Sequence, residues 1–317
     1  MSRNLHVFNL AVKDFAILFG ATEKEIEKYC GKQIAGFDFR YCKLGSSQRD
    51  KIILSVLKHV DSRDLPTAGK QRRLQWEKGW DENLREFVAS GYDVNKLIPK
   101  YFKKNVPVRL NRDFVMPFSA DFVLNVSRIF RNWLFQKYLH RFDSIYEFGC
   151  GSAHHLVLLT KLYPGKNLYG FDWSKKSQEI IRLLKKRFGW HMQAGYFDFL
   201  RPDKSLKIDP HSAFFTFGAL EQVGKDHRHF LDFVLSKSPG LCINVEGLYE
   251  LYDDNYLLDY LASRYHARRN YLKGYLSCLK KLEGEGKVKI IKVHHQLFGV
   301  FDDPHSYVIW KPKGAKG

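Results

Sequence analysis

The sequence predicts an α/β protein: a doubly wound, mostly parallel seven-stranded sheet with an antiparallel terminal hairpin, preceded by a helical N-terminal region. Three observations predict it. From residue 144 onward, short apolar runs alternate with helical patterns, which requires a parallel sheet covered on both faces. The first of those runs enters a glycine turn, Glu147-x-Gly149-x-Gly151-x-Ala153, and the next run stops at an acid, Asp172. The last two strand patterns, Val288–His294 and Ser306–Trp310, are joined by a loop containing Phe298-Gly299 and Asp302-Asp303-Pro304. The expected division is residues 1–118, a mainly helical cap or substrate region, and residues 119–317, a cofactor domain with a helical insertion near 250–283.

Taken in order, residues 1–100 read as helical. Thr22 precedes the charge-alternating Glu23–Lys28 as a cap. Ile52–Leu57 forms a buried helical segment after Ser46-Ser47. Leu74–Trp80 and Asn83–Val88 carry apolar residues at helical spacing, ended by Ser90-Gly91-Tyr92. Val106–Leu110 and Phe114–Phe118 look extended, because Pro107 and Pro117 oppose helix. Asp121–Leu139 is again helical, with Phe122, Val126, Ile129, Phe130, Trp133 and Leu134 on one face. Strands are then expected at Ser144–Phe148, Asn167–Phe171, His191–Ala194, Ala213–Phe217 and Leu241–Val245. Helices are expected at His154–Leu162, Lys175–Phe188 and His227–Leu235.

The glycine turn carries the chemistry. Gly149 permits a sharp exit from the strand, and Gly151 lets the backbone approach a ligand closely. The following helix points its positive end at the same place. Asp172, at the end of the next strand, suits a carboxylate accepting both hydroxyls of a ribose, although it also resembles a helix cap; Ser174 serves equally well as that cap. Asp198 stands in the loop after the third strand, either as a polar loop residue or as the acceptor of an adenine amino group, with Phe197 or Phe199 against the ring. A nicotinamide dinucleotide prefers G-x-G-x-x-G, and the residue three after Gly151 is His154.

These residues, Glu147-x-Gly149-x-Gly151-x-Ala153 with Asp172 and Asp198, resemble the first three motifs of class I S-adenosylmethionine-dependent methyltransferases, over about residues 120–312. The terminal hairpin resembles that family's antiparallel seventh strand. Ala153 stands where the motif has its third glycine. The resemblance implies that Glu147 positions the methionine amino group through the turn and that Gly149 and Gly151 line the methionine portion. It implies Asp172 on the ribose, Asp198 on the adenine, and Trp173, Phe199 and Phe217 as further cofactor contacts.

The acceptor site is expected beyond the carboxyl ends of the strands. Glu221 would act there as a general base or orient substrate, and Glu246 points toward the cleft edge. His227 and His229 have a pKa suited to proton transfer. Two apart on a helix, they face different ways, so at most one reaches the site; otherwise both are surface residues. The Tyr/Arg/His-rich insertion around Tyr265–Tyr271 suits a polar, anionic small molecule such as a sugar phosphate, or is an ordinary amphipathic lid. Phe217-Gly218-Ala219-Leu220 replaces the Asn-Pro-Pro-Tyr tetrapeptide of nucleobase amino-methylating enzymes. Neither Asp253-Asp254 nor Asp302-Asp303 has metal-ligand spacing. The expected activity is therefore methyl transfer from S-adenosylmethionine, with no metal, to an oxygen of a small polar metabolite or sugar. The alternatives are an RNA or ribosome methyltransferase and a non-catalytic protein that keeps the fold.

Bulk properties set limits. The net charge is +18, but residues 1–141 carry 26 basic and 15 acidic residues and the remainder 26 and 19, so the charge is spread along the chain. Such a spread fits solvated surfaces first and an anionic partner second. No apolar run is long enough to span a membrane, and Lys13 and Asp14 break the pattern of a signal peptide. Five cysteines without CxxC spacing point to a reducing cytoplasm.

Overall fold

The computed structural model describes residues 6–209 and 211–314; residues 1–5, 210 and 315–317 lie outside the described residues. The N-terminal part comprises β1 (Val7–Asn9), α1 (Val12–Phe19), α2 (Glu23–Gly36), β2 (Arg40–Lys43), α3 (Ser46–Asp61), α4 (Arg73–Ala89), β3 (Val108–Leu110), β4 (Asp113–Pro117) and α5 (Phe122–Tyr138). Then come β5 (Ser144–Phe148), α6 (His154–Leu162), β6 (Asn167–Asp172), α7 (Lys175–Phe188), β7 (Met192–Tyr196), β8 (Ser212–Phe217), α8 (Arg228–Lys237) and β9 (Leu241–Val245). The chain closes with α9 (Leu257–Arg268), α10 (Tyr275–Gly284), β10 (Val288–His294), β11 (Phe298–Gly299) and β12 (Tyr307–Pro312).

The large sheet runs β10-β12-β9-β8-β5-β6-β7. Pairs among β5 to β9 are parallel, while β12 is antiparallel to both β9 and β10. Successive strand residues face opposite layers. Ile145, Phe215, Ile243 and Ile309 pack with α5, α6 and α7; Tyr146, Phe214, Cys242 and Val308 pack with α8 and α10. This is the doubly wound sheet expected from the alternation. The strand order reverses between β5 and β8, so the loops after these two strands part and leave a crevice.

The N-terminal region is not all helix. A five-stranded antiparallel sheet, β1-β2-β4-β3-β11, runs through it. The extended look of residues 106–118 becomes the β3–β4 hairpin, but β1 and β2 lie where helix was expected, and Phe298-Gly299 is a strand rather than loop. Strands of two to four residues hold their place by pairing, Tyr41 with both Phe8 and Pro117, and Phe298 with Leu110, rather than by their own alternation. Because β11 comes from the tail, residues far apart in sequence close the cap over the large sheet. Helix α2 begins as expected: Thr22 Oγ1 accepts the Glu25 N–H and Glu25 returns a bond to the Thr22 N–H. Among the described residues no helix is long and apolar enough to cross a membrane.

Candidate active site

The crevice is built outward from the glycine turn. Phe148 ends β5, and the N–H groups of Gly149 and Cys150 both donate to the Phe171 carbonyl, 2.7 and 3.2 Å away, pinning the turn to β6. Gly149 and Gly151 have φ of 78° and 51°, and Ala153 joins them at 61°. A Cβ on Gly149 would lie 2.3 Å from the Ala219 Cβ, and one on Gly151 would lie 2.7 Å from the Trp80 ring. Backbone, not side chain, therefore floors the crevice. Gly149→Ala is expected to destabilise the protein by about 1–2 kcal/mol from its left-handed backbone alone, with the overlap adding to that. Denaturant midpoints would check it: adding Ala219→Gly should recover the overlap but not the backbone cost.

Asp172 ties the turn to the next helix. Its Oδ2 accepts the Gly151 N–H and its Oδ1 the Ser174 N–H, both at 2.9 Å. Ser174 Oγ caps α7 by accepting from Ser177. Burial pushes the Asp172 carboxyl up to about 6, against the pull of these N–H donors.

Glu147 lies under the turn. Its Oε1 meets Nδ1 of His155 at 2.6 Å, and its Oε2 has no partner. Burial raises the Glu147 carboxyl well above the usual range and Asp172 adds to this, with Arg131 opposing. Burial holds His155 well below its ordinary value, and Arg131 and His305 lower it further. Its neighbour His154 is held down the same way. Both imidazoles, at the start of α6, line the crevice.

The crevice encloses about 700 Å³ including its open mouth. It brings together Gly149, Gly151, Asp172, Trp173, Phe199 and Phe217 of the expected residues. Glu147 reaches it through His155. Asp198 faces elsewhere: it takes the Arg73 guanidinium and the Leu200 N–H. Glu246 is fully buried and capped, with Oε1 accepting from Ala219 and Leu220 and Oε2 from Glu221, at 3.1–3.3 Å. Burial raises its carboxyl to about 7, with Thr216 and these N–H groups opposing. Glu221 accepts from Gln222 at 3.0 Å, and burial, then Glu246 and Asp302, raise it well above the usual range. His227 donates from Nε2 to the Lys273 carbonyl, 3.1 Å, and holds the insertion rather than the crevice. His229 is exposed.

A cap from the N-terminal region was expected, but the residues of this far wall were not singled out. Trp76, Trp80, Pro99 and Tyr101 of the N-terminal region close the crevice over the glycine turn. The signal of Trp76 and Trp80 in the sequence was two tryptophans four apart, on one face of α4. Helix α4 is held there by Lys176, whose N–H donates to Glu77 and whose ammonium lies 3.3 Å from Asp81. Away from the crevice, Asp259, His295 and Asp303 bring ligand atoms within 4.8 Å of one another. The guanidiniums of Arg109 and Arg112 already pair with these carboxylates.

The sheet, its reversed strand β12 and the crevice at the switch between β5 and β8 make this the class I methyltransferase fold. No protein-family model and no curated protein matches the chain. Solved structures of similar fold include human N-acetylserotonin methyltransferase in complex with S-adenosylmethionine, at 11% identity over 92% of this chain and 71% of that one, TM-score 0.39. The methyltransferase domain of bacterial CtHen1 is 16% identical over 56% and 92%, TM-score 0.43. The [4+2]-cyclase SpnF is 11% identical over 72% and 75%, TM-score 0.45.

Proposed function

We infer that the protein is an S-adenosylmethionine-dependent methyltransferase acting on an oxygen of a small polar acceptor, such as a hydroxylated metabolite or sugar. One observation carries the cofactor assignment. Among the described residues, the crevice lining holds aromatic rings and a single carboxylate, Asp172, and no lysine or arginine. A pyrophosphate would find no cationic side chain there, whereas an adenosine bearing a positive sulfonium meets rings and a negative charge.

Bound there, S-adenosylmethionine supplies a methyl group open to in-line displacement. Asp172 would accept the ribose hydroxyls, and Trp173 and Phe199 would flank the adenine. The glycine turn leaves room for the methionine portion above Glu147. Phe217, Trp76 and Trp80 exclude water and position the acceptor. Glu147 meets Nδ1 of His155 and would orient that imidazole in the crevice. Glu221 and Glu246 shape the turn that carries Ala219 and Gln222 into the crevice, and His227 anchors the insertion.

Calorimetric titration tests this. S-adenosylmethionine should bind the full chain; no heat at millimolar ligand would refute the assignment. The charge of +18 favours RNA as the second reading. RNA retention that falls steeply with salt, at cofactor-binding concentrations of protein, would support it over a small acceptor.

A further inference from the structure

We propose that the acceptor is a hydroxyl-rich molecule, a sugar or a cyclitol, held in a second cavity that adjoins the cofactor crevice. The proposal rests on the methyltransferase reading above and names the place and the chemistry of the second substrate.

The second cavity encloses about 840 Å³ including its open mouth. Gln222 and Val223 line both it and the crevice. They belong to the turn after β8, beside the place where the strand order reverses. A molecule in the second cavity is therefore a neighbour of one in the crevice. The wall they share is fixed: Gln222 Oε1 accepts from the Arg72 guanidinium at 3.2 Å, and its Nε2 donates to Glu221 at 3.0 Å. The rest of the lining comes from the strap Thr67–Gln71 between α3 and α4, from Leu200 after β7, from Asp226 and from Asn270 in the insertion. The strap is tied to the insertion by the Ala68 N–H, which donates to the Arg269 carbonyl at 2.6 Å.

This lining differs in kind from that of the crevice. Trp76, Trp80, Trp173 and Phe217 are among the rings around the crevice, whereas no aromatic residue lines the second cavity among the described residues. Its polar members keep several atoms unengaged. Gln71 spends its amide N–H groups on Thr67 and on the Ala68 carbonyl, and Asn270 reaches the same carbonyl at 3.4 Å. The side-chain oxygens of both accept no bond from any described residue. Lys70 and Asp226 form no ion pair with any described residue. Two amide oxygens and a carboxylate are thus left to accept, and one ammonium to donate. A set rich in acceptors is matched by a ligand rich in donors, and hydroxyls both donate to it and accept from Lys70. A phosphate brings acceptors alone and meets the negative Asp226. A flat aromatic alcohol finds no ring to pack against. The hydroxyl nearest Gln222 and Val223 would attack the methyl: the C–O bond forms as the S–C bond breaks, the hydroxyl proton passes to solvent, and the cofactor leaves as neutral S-adenosylhomocysteine.

The test is NMR on the full chain saturated with S-adenosylhomocysteine, with myo-inositol, D-glucose, phenol and methylphosphonate as probes. Saturation transfer should show at least one of the two polyols bound, and bound more tightly than phenol or methylphosphonate. Interligand Overhauser peaks should join that polyol to the methylenes beside the cofactor sulfur. Asp226→Ala, at an exposed position, should weaken the polyol by about 2- to 10-fold. It should leave S-adenosylhomocysteine within about 2-fold, since Asp226 does not line the crevice. Thr67→Trp, which fills the cavity from the strap, should abolish polyol binding. No transfer to either polyol, tighter binding of phenol or methylphosphonate, a bound polyol without interligand peaks, or polyol binding unchanged in both variants would each overturn the proposal. If S-adenosylhomocysteine itself does not bind, the methyltransferase reading falls first and the acceptor role with it.

Discussion

Asp172→Asn is expected to weaken S-adenosylmethionine binding by about 10- to 150-fold while leaving the ligand-free protein almost as stable as before. The two effects separate because the carboxylate is costly to the fold and useful to the ligand. Asp172 is 5% exposed, and burial lifts its carboxyl from 3.8 to about 6. A folded-state value above the unfolded one means that ionisation opposes folding. The cost is absent below about pH 4, grows as pH rises through about 4 to 6, and stands at about 3 kcal/mol above that window. Asparagine removes it, but its amide NH2 must face either the Gly151 or the Ser174 N–H, losing a charge-assisted bond of about 1.5–3 kcal/mol. These terms nearly cancel at neutral pH. Urea denaturation from pH 4 to 7 should show the wild type gaining on the variant as pH falls through that window. Cofactor affinity of the wild type should drop below about pH 6, where the carboxylate protonates, and stay flat in the variant. Unaltered affinity in Asp172→Asn would remove the ribose role.

Much of this centre was legible from local pattern. Strands β5, β6, β8 and β9 are buried runs flanked by turns, and the glycine turn needs its residue types because no Cβ fits at Gly149. What escaped was non-local. Trp80 reaches Gly151, and Trp76 the crevice, only because α4 docks on α7, and neither the sequence distance nor the period of α4 reveals that. The Glu147–His155 contact spans a strand, a turn and the first turn of a helix. His154 was read only as a mark against dinucleotides, and its neighbour only as part of the helix start. Glu246 was placed correctly at the end of β9, yet nothing in the sequence says that its carboxylate faces three backbone N–H groups. The short strands β1, β2 and β11 have too few residues for alternation to declare a face, and β11 exists only by pairing Phe298 with the distant Leu110.

The largest expected loss of stability lies in the clamp that joins those distant parts. Arg109 on β3 is 2% exposed. Its guanidinium donates to Asp303 Oδ2 and to the Phe301 carbonyl, both at 3.0 Å, and lies 3.7 Å from Asp259 Oδ1. Arg112, past the tight Asn111-Arg112 turn, binds the other oxygen of Asp259 at 2.9 Å. One arginine pair thus fastens the N-terminal hairpin to helix α9 and to the tail loop before β12. Arg109→Ala leaves Asp303 and half of Asp259 buried without their cation, and should cost about 3–5 kcal/mol, or a fall in Tm of roughly 10 °C. Lysine should rescue little, because a single ammonium cannot reach Asp303 and the Phe301 carbonyl with the same fixed fork. Arg109→Met combined with Asp303→Leu should recover most of the loss, since the cost comes from stranding a charge rather than from losing an attraction. The clamp also bears on buried carboxylates beside it. Asp302, raised to about 7 by burial and by Asp303, is held down in part by Arg109, and it is one of the carboxylates that raise Glu221. Removing Arg109 should therefore push Asp302 still higher, detectable as a displaced carboxyl titration by infrared difference spectroscopy against Asp302→Asn. A loss below about 1 kcal/mol for Arg109→Ala, the value of an exposed pair, would mean that the hairpin is not fastened in this way.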